Sequence, residues 1–325
     1  MAILGIESTA HTFGVGICSN GKTLANQKSM YPIKDKGMIP IEVAGFHLRN
    51  APSVIENALK EAGVGIKDID AIGYTKGPGL GPCLEVGQVA AKFISKKYKI
   101  PILPVNHAIG HIEVTKQAFG IKDPLVLYVS GGNSQILGLA ERPYRHYHVY
   151  GETFDIGIGN MLDSFARAAG IVPSWGSQVA KVAMHGRYVE LPYTVKGMDF
   201  TFTGLLTAAT KALQKNSVKN VAYSLQETSF AMLCEAAERA LLLTKKRDLI
   251  LCGGVAQSAR LKEMLGIITK SHNTGLYVSP NELNADNGVM IAVVAEKMFN
   301  SGERYNGKQL TISQRYRADS VKISW

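Results

Sequence analysis

The chain has 325 residues, 46% of them hydrophobic, and 36 Lys and Arg against 26 Asp and Glu give a formal charge of +10. That length supports a large core and allows two domains, and no stretch approaches the roughly eighteen uncharged apolar residues of a membrane helix. Met1 leads directly into an apparent strand without the basic start of a secretory signal, so a soluble, cytoplasmic protein is expected. The four cysteines, Cys18, Cys83, Cys234 and Cys252, show no CxxC spacing, which fits buried thiols better than a thiolate cage or a disulfide framework. Basic clusters at Lys96, Lys97 and Lys99 and at Lys245, Lys246 and Arg247 suit either a polyanionic partner or ordinary solvated helix faces, and composition leaves both open.

In chain order, Ile3 to Ile6, Thr12 to Cys18 and Thr23 to Ser29 alternate apolar and polar residues, and Asn20-Gly21 marks a hairpin between the last two. A helical stretch from about residue 39 to 62, interrupted by Pro52, carries Val54, Ile55, Ala58 and Leu59 on one face. The strand Ala71 to Tyr74 and the loop Gly77-Pro78-Gly79-Leu80-Gly81 follow. From Pro124 the same grammar returns: Leu125 to Val129, a Gly131-Gly132-Asn133 loop, Gln135 to Leu139 and a return strand at His146 to Tyr150. Helices are predicted around Met161 to Ala169, Tyr223 to Leu243 and Asn287 to Asn300. Between the last two, the buried-strand candidate Asp248 to Cys252 runs through Gly253-Gly254-Val255-Ala256 into a helix with Leu261 and Leu265.

Gly131-Gly132 and Gly253-Gly254 let backbone N–H groups approach an anion, although a tight turn without a ligand accounts for either pair alone. Their arrangement adds to this. Two β-hairpin repeats with polar loops at matching places, then a strand, glycine pair and helix, predict an α/β fold of the actin, sugar-kinase and heat-shock-ATPase plan, with duplicated βββαβα subdomains and a nucleotide cleft between two lobes. The expected division is 1–118 for lobe I, with 300–325 returning to it, and 119–299 for lobe II. The first phosphate loop would then hold Glu7, Ser8 and Thr9, with Glu7 either orienting a metal-bound water or ending its strand as a solvated carboxylate.

His107 and His111 stand at i and i+4, which aims two imidazoles the same way on a helix and suits a divalent metal. Asp286, before a predicted helix, is a candidate third ligand or a helix N-cap, and Tyr128 can offer a phenolic oxygen. The open positions of such a site suit substrate. Ala108 follows His107, so the HExxH arrangement of zinc peptidases is absent.

Nearly the whole chain resembles the TsaD/OSGEP family, in its archaeal and eukaryotic KEOPS-complex branch. The resemblance rests on Gly5-Ile6-Glu7 with Thr9-Ala10-His11-Thr12, Gly77-Pro78-Gly79-Leu80-Gly81, and Val105-Asn106-His107 with Gly110-His111. It continues through Tyr128-Val129-Ser130-Gly131-Gly132-Asn133, Gly157-Ile158-Gly159-Asn160, Gln226-Glu227-Thr228, Gly253-Gly254-Val255-Ala256 and Asp286-Asn287-Gly288. It implies transfer of a threonylcarbamoyl group from threonylcarbamoyl-adenylate to N6 of the adenine 3′ to the anticodon, in tRNAs reading codons that start with A. By the same resemblance His107, His111 and Asp286 hold one iron or zinc ion, with Tyr128 near it. Tyr128, Val129, Ser130, Gly131, Gly132, Asp163, Gly176, Ala180, Gln257, Gly253 and Gly254 line the site of an adenine nucleotide, threonylcarbamoyl-AMP or ATP. No dedicated acid or base is assigned.

The chain departs from that pattern where relatives carry a Pro-Gly-Gly-Pro turn and a ribose-binding Glu: it reads Ser174-Trp175-Gly176-Ser177, then Gln178, Val179 and Ala180. Gln257 replaces Asn, and Phe200 to Leu205 replaces a Ser-containing run. The implied partners are tRNA, a small protein kinase/ATPase that some archaea fuse at the C-terminus, a further tRNA-binding subunit, and a small dimerising subunit docking near 39–62. Rival readings are a nucleotide-binding scaffold without transfer activity, a sugar kinase and a metal-dependent endopeptidase.

Overall fold

A computed structural model describes residues 1–32 and 37–325. The N-terminal runs form β1 (Ala2–Glu7), β2 (Thr12–Ser19) and β3 (Lys22–Met30), paired antiparallel. Asn20 and Gly21 join the last two with φ of 49° and 76°, the paired positive values a two-residue hairpin turn of this hand requires. Next come α1 (Pro40–Ala62), β4 (Ile69–Gly77), α2 (Gly81–Tyr98), β5 (Ile102–Asn106) and α3 (His107–Phe119). Pro52 does not interrupt α1 as expected. It removes one donor from a 23-residue helix whose Val43, Ala44, His47, Ala51, Val54 and Ala58 are all buried, and that packing keeps the helix continuous.

The second copy consists of β6 (Leu125–Val129), β7 (Ser134–Ala140) and β8 (His146–Glu152). After it come α4 (Ile158–Ala168), α5 (Gly176–Ala183), the two-residue strands β9 (Val195–Lys196) and β10 (Asp199–Phe200), α6 (Thr203–Ala212) and α7 (Val218–Thr244). The remainder is β11 (Asp248–Cys252), α8 (Ala259–Ser271), β12 (Gly275–Val278), α9 (Asn281–Asn284) and α10 (Gly288–Asn300). The first sheet has the order β3-β2-β1-β4-β5, and the second, read from its other edge, β8-β7-β6-β11-β12. In both, the first strand of the meander pairs antiparallel with the second and parallel with the strand that follows the helices. The duplication is thus a strand-for-strand equivalence.

Contacts divide the chain into one unit of Met1–Gly120, Ala140–Tyr147 and Pro280–Trp325 and another of Ile121–Leu139 and His148–Ser279. The return to the first unit therefore begins at Pro280, earlier than the expected 300, because α10 packs on the first sheet. The pleat explains how. Leu4, Ile6, Phe13, Val15 and Ile17 point to one face, into a core with Ala51, Val54 and Ala58 of α1 and Ala91 and Ile94 of α2. The opposite face offers glycine. A Cβ on Gly5 would lie 2.2 Å from the Ala292 nitrogen and one on Gly16 2.2 Å from that of Val289, so α10 rests almost backbone to backbone on β1 and β2. In the second unit Leu125, Leu127 and Val129 join Phe165, Leu225, Met232, Leu233 and Leu251 in a separate core. Among the described residues no helix is long and apolar enough to cross a membrane.

Gly16→Ala is expected to lower stability by about 1–3 kcal/mol through overpacking. Gly266→Ala, inside α8 with nothing within 4 Å of the added carbon, should raise it by about 0.5–1 kcal/mol. Urea unfolding of both variants measures the contrast.

Candidate functional site

Two asparagines set the helix ends that carry the ligand candidates. Asn106 Oδ1 accepts from the Ile109 N–H at 3.2 Å and caps α3, which puts His107 in the first turn and His111 one turn on, on the same side. Asn287 Oδ1 accepts from the Met290 N–H at 3.0 Å and caps α10. Asp286 is therefore not the N-cap, and its carboxylate turns to the histidines. Its Oδ1 lies 3.6 Å from His107 Nε2 and 3.3 Å from His111 Nε2. The rings stand 4.8 Å apart, nearly perpendicular at 87°, and one ligand atom from each of the three residues falls within 4.8 Å of the others. Among the described residues this is the only such group of three. Farther along the same pair of helices, buried Glu113 of α3 accepts from Lys116 Nζ at 2.8 Å and from Lys297 Nζ of α10 at 2.5 Å, with Tyr147 donating to it as well. Burial alone would raise its pKa, but the two ammonium groups bring it down to about 2.

Glu7 shares the α10-facing side of β1 with Gly5, as the two-residue period dictates. It is fully buried, which corrects the solvated-carboxylate reading. One oxygen accepts from the Thr9 N–H at 2.7 Å and the Thr9 hydroxyl at 2.5 Å. The other accepts from the Thr75 hydroxyl at 2.7 Å and lies 3.0 Å from His107 Nδ1. A carboxylate there holds the proton on Nδ1 and leaves Nε2 for a metal. Of the three phosphate-loop candidates, Glu7 and Thr9 are hydrogen-bonded to one another inside the first unit, whereas Ser8 Oγ is buried against Gly87 of α2 without a hydrogen-bond partner. Thr75 was missed by sequence reasoning, since only the parallel pairing of β1 with β4 brings it to Glu7.

Electrostatics separates the three groups. Burial works against a charged His107, but Glu7 and Asp286 outweigh it and lift the pKa to about 9. His111 goes the other way, its burial lowering the pKa below the ordinary histidine value. Desolvation opposes an ionised Asp286, yet the two imidazoles hold its pKa below the carboxylate range. Two imidazole nitrogens and one anionic oxygen, with a carboxylate behind one ring, make a donor set that fits a divalent metal with coordination positions left over.

The nucleotide-loop candidates all fall in the second unit. Tyr128 is buried at the end of β6, paired in register with Cys252 of β11. Past Val129, the Ser130 and Gly131 carbonyls accept from the Gly159 and Asn160 N–H groups at 3.1 and 3.0 Å, which seats the loop on the start of α4. Gly253 has φ of 95°, and a Cβ there would lie 2.4 Å from the Val129 carbonyl oxygen, so only glycine fits. Gly132 and Gly254 have nothing within 4 Å of an added carbon. The helix expected directly after Ala256 begins at Ala259, after a 3₁₀ turn that includes Gln257. Asp163 of α4 accepts from the Gly176 N–H at 2.7 Å, tying α4 to the start of α5, where Ala180 brings no carboxylate.

Two sheets of equivalent strand order, the second with a glycine pair after each of two adjacent strands, define an α/β protein of the actin-like ATPase fold. Solved structures agree on that fold. HypF of Thermococcus kodakarensis matches 93% of this chain and 48% of its own length at a TM-score of 0.64 and 15% identity. The (R)-2-hydroxyglutaryl-CoA dehydratase component A of Acidaminococcus fermentans matches 91% of this chain and 98% of its own at 0.57 and 14%. The chain belongs to the TsaD family, whose model, described as tRNA N6-adenosine threonylcarbamoyltransferase, matches residues 21–293. A relative of that name from Thermococcus sibiricus is 46% identical over the full length of both chains. A relative from Thermoplasma acidophilum, named a probable bifunctional tRNA threonylcarbamoyladenosine biosynthesis protein, is 43% identical over all of this chain and 61% of its own.

A divalent metal must displace the proton that His107 retains below about pH 9. Affinity of the apo-protein for zinc or ferrous iron should therefore climb from pH 6 to about pH 9 and then level, with about one proton released per metal at pH 7.5, measured by calorimetry in buffers of different ionisation enthalpy. Glu7→Gln should weaken metal binding by about 10–100-fold.

Proposed function

We infer that this protein is a tRNA N6-adenosine threonylcarbamoyltransferase, moving the threonylcarbamoyl group from threonylcarbamoyl-AMP to N6 of the adenine 3′ to the anticodon in tRNAs reading ANN codons. The observation that carries this is the convergence of His107, His111 and Asp286, with Glu7 behind the first, in a chain aligned end to end with relatives bearing that name. The adenine N6 attacks the carbamoyl carbon, the bond from that carbon to the adenylate phosphate oxygen breaks, AMP leaves, and N6 loses one proton.

A metal held by His107, His111 and Asp286, iron or zinc by its nitrogen and carboxylate ligands, would supply Lewis-acid polarisation of the carbonyl. Glu7 fixes the His107 tautomer. In the second unit the loops Val129 to Gly132 and Gly253-Gly254 offer backbone donors to the adenylate, and Tyr128 stands at the root of the first loop. Asp163 acts here through α5, whose first N–H it binds. No dedicated base for N6 is assigned among the described residues, and orientation of the amine would contribute to the catalysis.

The partner reading, a small kinase/ATPase that works with this chain, is supported by the Thermoplasma acidophilum relative, which is named bifunctional and is longer than the part this chain matches. Exposed Ile39 at the N-cap of α1 and Ile41 and Leu48 on it, with Val89 and Phe93 on α2, support docking of the small dimerising subunit on residues 39–62. A second reading, a nucleotide-binding scaffold of the same complex, is favoured by Ala180 alone, which deprives the ribose of a carboxylate. The endopeptidase reading loses further ground because both Glu7 oxygens are engaged.

The chain with its partner subunits, given threonylcarbamoyl-AMP and unmodified tRNA, should yield the modified nucleoside by mass spectrometry. His111→Ala and Asp286→Ala should lower the yield at least 100-fold while still folding. A folded wild type that binds its partners and makes no product would leave the scaffold reading in its place.

A further inference from the structure

On the second unit, positive charge gathers on one face without compensation. Residues 164–226 contain seven Lys and Arg against two acidic residues, Glu190 and Asp199, and Asp199 accepts from the Glu152 N–H at 2.9 Å. An open groove between α4 and α6 is lined by Ser164, Thr207, Thr210, Lys211 and Gln214, with Ala168 and Leu206 below. Arg167, on the α4 side, donates to Ser164 Oγ at 2.9 Å. Beyond the groove, Lys215 lies in the α6–α7 turn and Lys219 in the first turn of α7. The segment after α5 closes against that turn: Gly186 abuts the Lys219 carbonyl, and the Arg187 N–H donates to Asn220 Oδ1 at 2.9 Å. Arg167, Lys211, Lys215, Lys219 and Arg187 thus follow one another over adjoining elements, all exposed. None forms an ion pair among the described residues, whereas Arg239, Lys246 and Arg260 of the same unit each do. Tyr188, beside Arg187, is 58% exposed.

Cations that outnumber carboxylates, next to hydroxyl and amide groups, complement phosphate oxygens. Ser164, Thr207, Thr210 and Gln214 line the groove beside Lys211 and add neutral donors to the charge. We propose that this face grips the phosphate backbone of the RNA substrate, with the ring of Tyr188 placed to stack an unpaired base. The proposal rests on the transferase reading and specifies its RNA-binding surface. Helix α4 gives it a direction, because its first turn seats the Ser130–Gly132 loop and its Ser164 and Ala168 wall the groove, about 6–14 Å away along the axis. RNA held on the groove is thereby placed within a few nucleotides of the adenylate loops.

The test uses the full chain and an unmodified tRNA reading an ANN codon, with affinity measured by fluorescence anisotropy over a range of salt. The triple variant Lys211→Gln, Lys215→Gln, Lys219→Gln should bind at least about tenfold more weakly at low salt, with a log–log salt slope shallower by about 2–3. Its KM for tRNA should rise while metal content and thermal melting stay at wild-type values. The triple Lys96→Gln, Lys97→Gln, Lys99→Gln removes the same charge from α2 and the residue capping it, and should leave affinity and slope near wild type. Equal affinity and slope in the first triple, or an equal loss in the second, overturns the grip and leaves the face to an acidic protein partner. A wild type that binds tRNA with the expected difference between triples but transfers nothing keeps the grip and removes the transferase reading. A wild type that binds no tRNA overturns both.

Discussion

Helix α10 lies on the first sheet at a separation that only glycine permits, and the geometry of the His107, His111 and Asp286 cluster depends on that contact. Gly5 and Gly16 leave room for the helix backbone over β1 and β2, Asn287 closes its first turn, and Asp286 arrives beside two histidines fixed by α3. A side chain on either strand glycine would meet that backbone at 2.2 Å and push back the helix that begins just after Asp286. The conserved volume of a packed interior makes such a shift costly to absorb elsewhere. At their other ends α3 and α10 are pinned by Glu113 and its two lysines, a buried charge with compensating charges on both sides.

The same face of the pleat that carries glycine carries Glu7, so one alternation provides both the close approach of the helix and the carboxylate behind His107. Four acceptor contacts on its two oxygens leave Glu7 little freedom to rotate. The histidines consequently differ in kind: one sits between two carboxylates and keeps its proton, the other is held neutral by burial. For a divalent metal, that difference would make His111 the ready ligand and His107 the one whose proton must be exchanged.

Much of this was legible in the sequence. The repeated meander, the i, i+4 histidines and the acid before the last long helix are local signals, and the strands and helices fall where alternation and helical periodicity place them. The partner of Glu7 was not legible, because Thr75 and His107 reach it only through parallel pairing and the crossover to β5. Nor was the return of the chain at Pro280, since the distinction between α10 and the helices of the second unit lies in which sheet offers a glycine floor. The capping role assigned to Asp286 went instead to Asn287, one residue on; both residue types cap helices well, and only the geometry of the turn decides.

His107 and Asp286 stand far apart in the chain, with the whole second unit between them, and the floor that receives α10 belongs to the earliest strands. As the polypeptide emerges from the ribosome, those strands can pair and cover their α1–α2 face while the other face waits, its glycines exposed, for a helix still to be translated. The N-terminal unit is in this sense a receptor for its own last helix. Ribosome stalling or proteolysis upstream of residue 286 would leave the two histidines of α3 without Asp286 and the first sheet without α10, so assembly of the three-residue cluster reports that the chain has been made through α10.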